Sequence, residues 1–161
     1  RSAVGRQPET QGTWEGYAVG SNPSRTVLSR SCRDQMIATV AGNLVADGCF
    51  VLADHVNWRN GAPTPINGHT PDIIAEKGDQ RLVFEVEDCA TYADRHTRDQ
   101  LSAFARARGC QVRVVVPAVC HGEHSRPFAA RDHMLLILGL WGLGNRVGVA
   151  VCDPSAGTVA Y

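Results

Sequence analysis

The sequence predicts an α/β domain in which helices flank a mixed β-sheet. A helical periodicity follows a capping pattern near residue 31, a two-residue turn separates two extended runs near residue 78, and strand-like apolar runs alternate with helical segments after residue 90. The predicted order is helix, three strands, helix, strand, helix, strand. The 161 residues suffice for one domain with a single core. We place this domain at residues 31–161, after an N-terminal arm over residues 1–30 that is rich in Gly, Ser, Pro and Arg.

The first helix is predicted to begin at Ser31, which together with Asp34 resembles a capping box. A glycine C-cap at Gly48 is predicted to end it, and residues 49–58 are predicted to form the first strand. One face of the helix carries apolar residues that recur every three to four positions: Met36, Ile37, Val40, Ala41, Leu44 and Val45.

Residues 70–88 are predicted to form a β-hairpin with Gly78-Asp79 as its turn. In this register Lys77 pairs with Gln80 at the tip of the hairpin. Lys77 is the only lysine of the chain, and it lies about 16 Å along the strand from the acidic residues at the other end of the hairpin. We therefore predict that it is a solvated turn residue.

The second half of the chain continues the alternation of helices and strands. Its run QVRVVVP is almost continuously apolar, which is typical of a buried central strand. The predicted elements are a helix over residues 92–108, capped by Thr91 and Asp94 and closed by Gly109; a central strand over 111–117; a helix opened by Ser125 and Pro127 and running to about Trp141; and a strand over 146–152.

The hairpin register brings three carboxylates together. Asp72 lies directly opposite Glu85, at about 4.5–5.5 Å between Cβ atoms, and Glu87 follows two residues later on the same face. Like charges this close repel, so a purely structural sheet would avoid them, whereas a divalent cation turns the repulsion into attraction. The pattern predicts a Mg²⁺ or Mn²⁺ site held by Asp72, Glu85 and the backbone carbonyl of Val86. The alternative is a solvated acidic face at the edge of the sheet.

The segment GHTPDIIA, followed after a short turn by VFEVE, resembles the PD-(D/E)xK nuclease superfamily. Pro71-Asp72 matches the Pro-Asp element, and Glu85-Val86-Glu87 matches the (D/E)-x-K element with a glutamate in place of the usual lysine. Some restriction endonucleases of this superfamily carry Glu-x-Glu at these positions. The resemblance covers about residues 31–118, and it implies a restriction-endonuclease-like fold with an αβββαβ core, as in restriction enzymes and Holliday-junction resolvases.

The resemblance implies a metal-dependent endodeoxyribonuclease that hydrolyses phosphodiester bonds of DNA. Asp72 and Glu85 are then expected to hold Mg²⁺ or Mn²⁺, and Glu87 to be a third ligand or to orient or deprotonate the attacking water. Cleavage of both strands of a duplex needs two sites, which a homodimer would provide. Two other functions remain open: a catalytically inactive nuclease-fold module that binds nucleic acid, and a protein-interaction domain.

Members of the superfamily often use further polar residues on the two helices of the core. Asp34 is the candidate acid on the first helix, although capping explains it equally well. Gln100, in DQLSAF, is similar to the glutamine on the second helix of several branches; its alternative is an exposed helix residue. The other candidates each have a simpler interpretation as ordinary solvated or loop residues: Arg95, His96 and Arg98 for phosphate, and His55 and His69 as a base.

Composition excludes several classes of protein. The net charge is zero, with 16 basic and 16 acidic residues, so binding of nucleic acid by bulk charge alone is excluded. The longest apolar run, about ten residues, is too short to cross a bilayer, and no secretory signal pattern opens the sequence. These observations predict a cytoplasmic protein.

The six cysteines show no Cys-x-x-Cys spacing, and a chain of this size does not need disulfides. We therefore expect reduced and mostly buried thiols. The nearest approach to a zinc motif is formed by Cys120, His121, Glu123 and His124, but the second ligand pair of a structural zinc site is missing. A polar loop is the favoured interpretation of this segment.

Overall fold

A computed structural model describes residues 23–120 and 126–161. The predicted order of elements is confirmed within these ranges, with one further short strand at the end. The elements are α1 (Pro23–Ala46), β1 (Phe50–Ala53), β2 (Ile73–Lys77), β3 (Gln80–Val86), α2 (Arg95–Ala105), β4 (Gln111–Pro117), α3 (Ala129–Leu140), β5 (Val147–Asp153) and β6 (Thr158–Ala160).

The strands form one mixed sheet in the order β1-β2-β3-β4-β5-β6. The pairs β1–β2, β2–β3 and β5–β6 are antiparallel, whereas β3–β4 and β4–β5 are parallel. Helix α1 packs on one face, where its residues join Phe84 and Val115 in a core cluster. Helices α2 and α3 pack on the other face, around Val114 and Val116. The predicted mixed α/β architecture is therefore confirmed.

The relative directions of the strands decide which residues can meet. Because β2 is antiparallel to β1 and β3, its first residue lies at the same edge of the sheet as the last residues of β1 and β3. The parallel strands β4 and β5 also end at this edge. Side chains just before β2 and at the end of β3 are thus brought together. Asp72 and Glu85 meet in this way, although they are 13 positions apart in the sequence.

Helix α1 is longer than predicted. It begins at Pro23 rather than Ser31, so the predicted arm is wrong over residues 23–30, and residues 1–22 lie outside the described part. Proline is well tolerated in the first turn of a helix, where its missing N–H would have no partner. The predicted end is confirmed, since Gly48 has a positive φ of 85° after the last helical turn. The predicted apolar face is buried as expected, with Met36, Ile37 and Val40 at 0% exposure.

The first strand is shorter than the predicted 49–58. β1 ends at Ala53, and the chain then turns, with positive φ angles at His55 (64°) and Asn57 (49°). The indole of Trp58 returns to the strand and donates to the carbonyl of Val51 at 3.0 Å. The polar run after Ala53 therefore makes turns instead of extending the sheet.

The elements of the second half differ from the prediction mainly at their ends. Helix α2 begins after Asp94, which makes no side-chain cap bond, and ends before the predicted residue 108. Helix α3 begins after Phe128, and Ser125, its predicted opening residue, lies outside the described ranges. Strand β6 was not predicted, because three residues are too few to show an alternating pattern. No helix in the described ranges is long and apolar enough to span a bilayer.

The prediction of reduced thiols is wrong for two of the six cysteines. Cys89, after β3, and Cys120, after β4, form a disulfide with their Cα atoms 5.8 Å apart. The fold brings the ends of these neighbouring parallel strands together, a proximity that their sequence separation of 31 hides. Among the four free thiols only Cys152 is buried, so the expected burial is also wrong for most of them. The disulfide leaves Cys120 without a thiolate for zinc, and the other residues of that motif lie outside the described ranges.

Candidate functional site

Two carboxylates lie side by side where β2 begins and β3 ends. The strands pair in the predicted register up to Ile73 opposite Phe84, so Asp72 and Glu85 occupy the next opposed positions. Both acids are nearly inaccessible, at 2% and 0% exposure, although acids are rarely buried. Ile73 and Phe84 belong to the core beneath α1, as the alternation predicts. The alternative of a solvated acidic face is therefore wrong.

The guanidinium of Arg33 bridges the two carboxylates. Its Nη2 donates to Asp72 Oδ1 at 2.8 Å and Oδ2 at 2.9 Å, and it lies 3.5 Å from Glu85 Oε1. Arg33 is on α1, next to Asp34, the acid that was predicted to serve the site or cap the helix. Asp34 lies well inside α1 and does not cap it, and the helix contacts the carboxylates through Arg33 instead.

Glu87 follows β3 and is anchored by two threonine hydroxyls. Thr97 Oγ1 donates to Glu87 Oε1 at 2.6 Å, and Thr91 Oγ1 donates to Oε2. Glu87 is 3% exposed and Thr97 is 1% exposed, so this group is buried against the start of α2. Thr91 was predicted to cap that helix, but its hydroxyl holds the carboxylate. Both oxygens of Glu87 are thus oriented by donors from one segment of the chain.

The negative charge of this carboxylate cluster exceeds its positive charge. Among the described residues, the acids Asp72, Glu85 and Glu87 lie near one guanidinium, that of Arg33, which pairs directly with Asp72 and Glu85. Burial raises the pKa of Glu85 well above its usual range, and the charges of Asp72 and Glu87 raise it further. Burial also raises the pKa of Asp72 against the opposing effect of Arg33, and that of Glu87 against its hydrogen bonds from the threonines.

One oxygen of the cluster has no partner. Glu85 Oε2 is buried and accepts no hydrogen bond from any residue in the described ranges. Gln100, on α2, is buried at 7% exposure and is close enough to lower the pKa of Glu85, but its amide does not satisfy this oxygen. A buried charged oxygen without a partner costs about 1–3 kcal/mol, so the arrangement favours a ligand that supplies positive charge.

The structure places two further predicted residues beside the cluster. Gln100 is buried, so its alternative as an exposed helix residue is wrong. Val86 donates its N–H to Asp72 Oδ2 at 2.7 Å, which fixes its peptide group next to that carboxylate. The use of the Val86 carbonyl as a metal ligand stays a prediction.

The histidines and exposed arginines divide between the site and other surfaces. His55 is at the rim: its Nε2 lies 3.3 Å from Asp54 Oδ2 and 4.0 Å from Asp72 Oδ1. His69 instead lies against Phe104 and His96, with ring centroids 6.4 Å apart in each case. The other helical candidates, Arg95 and Arg98, are exposed, as is Lys77, which donates to the carbonyl of Asp47 at 2.6 Å.

The donors of the carboxylate cluster fit a hard divalent cation. Carboxylate oxygens are the ligands that Mg²⁺ and Mn²⁺ prefer, and Glu85 Oε2 is free to coordinate. Within residues 23–120 and 126–161, no three His, Cys, Asp or Glu side chains are grouped tightly enough to form a metal centre as they stand. In this arrangement the Arg33 guanidinium lies between Asp72 and Glu85, so an ion held by both would have to replace it.

Replacing Glu85 by glutamine tests the electrostatics of the cluster without DNA. The pKa of Glu85 is raised in the folded state. The contribution of Glu85 to folding stability is therefore fully present below the usual glutamate value of 4.5 and is lost as the pH rises through the folded pKa. Glu85→Gln cannot ionise, so we expect it to be more stable than wild type at neutral pH by on the order of 1–2 kcal/mol. Urea unfolding of wild type and Glu85→Gln in chelator, from below pH 4.5 to neutral pH, measures the difference in their free energies of unfolding. A difference that does not change with pH would contradict the raised pKa.

No protein-family model matches the chain, and comparison with curated proteins and with solved structures finds no significant relative.

Proposed function

We propose that the protein is a divalent-metal-dependent nuclease that hydrolyses phosphodiester bonds of DNA. One observation carries the proposal: the buried carboxylates Asp72, Glu85 and Glu87 lie together, only Asp72 and Glu85 among them pair with Arg33, and Glu85 Oε2 has no hydrogen-bond partner among the described residues. A cluster of this kind costs stability, because each buried charge is desolvated and its neighbours repel it. Buried acids whose pKa values are raised together at one sheet edge are typical of a functional site.

The fold supports the same proposal at a coarser level. The order α1-β1-β2-β3-α2-β4 corresponds to the αβββαβ core that the resemblance to the PD-(D/E)xK superfamily implies. Asp72 and the Glu85-Val86-Glu87 segment lie at the positions of this order where that superfamily carries its motif. Sites at the carboxyl ends of parallel strands are also the general rule in α/β sheets.

Each residue of the site has a role in the proposed reaction. Asp72 and Glu85 would hold Mg²⁺ or Mn²⁺, with the Val86 carbonyl as a further ligand. The ion would supply a water of lowered pKa and neutralise charge on the phosphate. Glu87, held by its threonines, would be a third ligand or would orient or deprotonate the water, and Gln100 would position Glu85 from α2.

Cleavage assays on defined substrates test the proposal directly. Duplex, single-stranded and branched DNA, and an RNA of the same sequence, are incubated with the protein in Mg²⁺, in Mn²⁺ and in chelator. We expect cleavage of DNA only when a divalent ion is present. Absence of cleavage of every substrate in both ions, with binding of DNA retained, would favour the inactive module.

Two observations favour the other functions. The pairing of Arg33 with Asp72 and Glu85 gives the carboxylates a cation without metal, which suits a nuclease-fold module that binds nucleic acid but does not cleave it. On α3, Leu136 is 69% and Leu140 is 86% exposed, which suits a protein-interaction domain or the proposed homodimer. Sedimentation of wild type and of Leu136→Ser would show whether this face joins two copies.

Glu87→Gln distinguishes the two roles proposed for Glu87. The substitution keeps the shape of the side chain and removes its charge. If Glu87 is a ligand, we expect the Mg²⁺ midpoint for cleavage to rise about tenfold or more. If Glu87 is a base, we expect the plateau of the cleavage rate to fall about a hundredfold while the midpoint stays unchanged. Cleavage rates over a Mg²⁺ titration measure both quantities.

Two further variants complete the Glu87 experiment. Thr97→Val removes one hydroxyl that anchors Glu87. Whichever quantity Glu87→Gln changes, the Mg²⁺ midpoint or the plateau rate, Thr97→Val should change in the same direction by a smaller factor. Glu87→Lys restores the common motif and is expected to retain some cleavage at a lower Mg²⁺ requirement. If Glu87→Gln matches wild type at every concentration, Glu87 has no part in the reaction.

A further inference from the structure

A cleft lies where β4 and β5 begin, at the edge of the sheet opposite to the carboxylate cluster. It has a volume of about 550 Å³ and is formed between the end of α2 and the loop that precedes β5. Arg113 of the cleft pairs with Phe84 and Val114 pairs with Glu85, so the side chains of Arg113 and Glu85 alternate to opposite faces of the sheet. The volume is within the range of small-molecule sites, about 300–1,000 Å³. The cleft is therefore a separate site and not an extension of the first.

The charge of this cleft is positive. Arg113 and Arg146 both line it, and no acidic residue does. Neither guanidinium makes an ion pair with a carboxylate in the described part of the chain. All the ion pairs found there involve other residues. Two unneutralised guanidinium groups around one concave space repel each other, and an anion between them relieves that repulsion.

The position of Arg113 is fixed by its surroundings. Its guanidinium carbon lies 5.4 Å from the centre of the Tyr161 ring, a distance typical of a cation–π contact. Gly148, on the neighbouring strand β5, leaves room for it, since a Cβ there would lie 3.4 Å from Arg113 Nη1. Arg113 is thus pre-positioned, whereas Arg146 is exposed and free to close on a ligand.

The lining of the cleft indicates the chemistry of the ligand. The planar guanidinium fork matches the oxygens of a phosphate, which it can bind through two parallel hydrogen bonds. The amide of Asn145 is a further donor, and the partly buried Ala105 and Cys110 provide an apolar wall. Free phosphate makes no apolar contact with such a wall, whereas the ring of a larger phosphorylated molecule can pack against it.

We propose that this cleft binds a phosphorylated small molecule of the size of a mononucleotide, with its phosphate between Arg113 and Arg146. The site is independent of the metal site, because none of the residues that line it belongs to the carboxylate cluster. It therefore stands whether or not the protein cleaves DNA.

Calorimetric titration in chelator tests the site without any metal. The full chain is titrated with AMP, with pyrophosphate and with a short DNA duplex, and the variants are Arg113→Gln and Arg146→Gln. Arg131→Gln is the matched control, because it removes the same charge from an exposed arginine of α3 that does not line the cleft. We expect AMP to bind wild type and the control alike, and each cleft variant to bind at least about tenfold more weakly.

Each other outcome overturns the proposal. Absence of AMP binding to wild type, or equal binding by wild type and the folded Arg146→Gln variant, removes the site. Tighter binding of pyrophosphate than of AMP would show that the apolar wall has no role. Binding of the duplex that weakens in the same variants, without AMP binding, would assign the cleft to the nucleic-acid backbone. Arg146 is exposed, so Arg146→Gln should fold even if Arg113→Gln does not.

Discussion

Asp72→Ala and Glu85→Ala are each expected to reduce metal-dependent DNA cleavage by about a thousandfold or more. Metal catalysis supplies several kcal/mol of transition-state stabilisation, and about 1.4 kcal/mol corresponds to a factor of ten in rate. Ile73 and Phe84 pack beneath α1 on the other face of the hairpin, so both variants keep that core cluster. The loss should therefore appear in activity and in Mg²⁺ binding, with the fold retained.

Glu76→Ala is the matched control for these two variants. Glu76 lies on the same hairpin, but it is exposed, and its ion pair in the described part of the chain is with Arg81, at 3.5 Å. It should leave the cleavage rate and the Mg²⁺ midpoint unchanged. Circular dichroism and thermal unfolding of all three proteins establish that they are folded. Full activity in folded Asp72→Ala or Glu85→Ala would remove these carboxylates from the mechanism and end the nuclease proposal in its present form.

The sequence allowed the hairpin and its carboxylates to be predicted because local rules determine them. A two-residue Gly-Asp turn fixes the register, and the register fixes which side chains are opposed. The alternation of apolar residues then decides the buried face, and Ile73, Phe84 and Val86 are buried as this rule requires. These contacts are close in sequence, so no knowledge of the tertiary fold was needed.

The partners of the carboxylates could not be predicted in the same way. Arg33 reaches Asp72 across 39 residues, and its place depends on how α1 crosses the sheet, which periodicity does not give. The helix was also predicted to start at Ser31, which placed residue 33 in its first turn and drew attention to Asp34 as a cap. For Thr97, the available signal was its position three residues before Gln100, on the side of α2 that faces the sheet.

The disulfide and the last strand were missed for related reasons. Cys89 and Cys120 meet only because β3 and β4 are parallel neighbours whose ends coincide. Argument from composition treats each cysteine as independent of the fold, so it could not pair them. The short strand β6 depends on a turn in which Asp153 accepts from the backbone of Ser155 at 3.0 Å and of Ala156 at 3.2 Å. Its side-chain pattern alone is too brief to indicate a strand.

Arg33→Met is expected to destabilise the metal-free protein and to strengthen its binding of divalent ions. Removing one partner of a fully buried ion pair costs about 3–5 kcal/mol. Arg33 is 32% exposed, so we expect a smaller loss, about 2–3 kcal/mol, in the free energy of unfolding in chelator. In Arg33→Met, a divalent ion no longer competes with the guanidinium for Asp72 and Glu85. The affinity of the protein for the ion should therefore rise by about tenfold or more.

Two measurements separate these effects, and neither depends on cleavage. Urea unfolding in chelator gives the loss of stability, and titration calorimetry with Mn²⁺ gives the affinity. Arg81→Met is the control, since it removes an arginine from an exposed pair with Glu76 and should change neither quantity appreciably. Because an ion that binds the folded state stabilises it by mass action, saturating Mn²⁺ should restore more stability to Arg33→Met than to wild type.

Weaker Mn²⁺ binding by folded Arg33→Met would instead show that the guanidinium supports the ion and does not compete with it. If neither protein bound Mn²⁺ while Arg33→Met still lost stability, Arg33 would be the permanent cation of the cluster, as the inactive module requires.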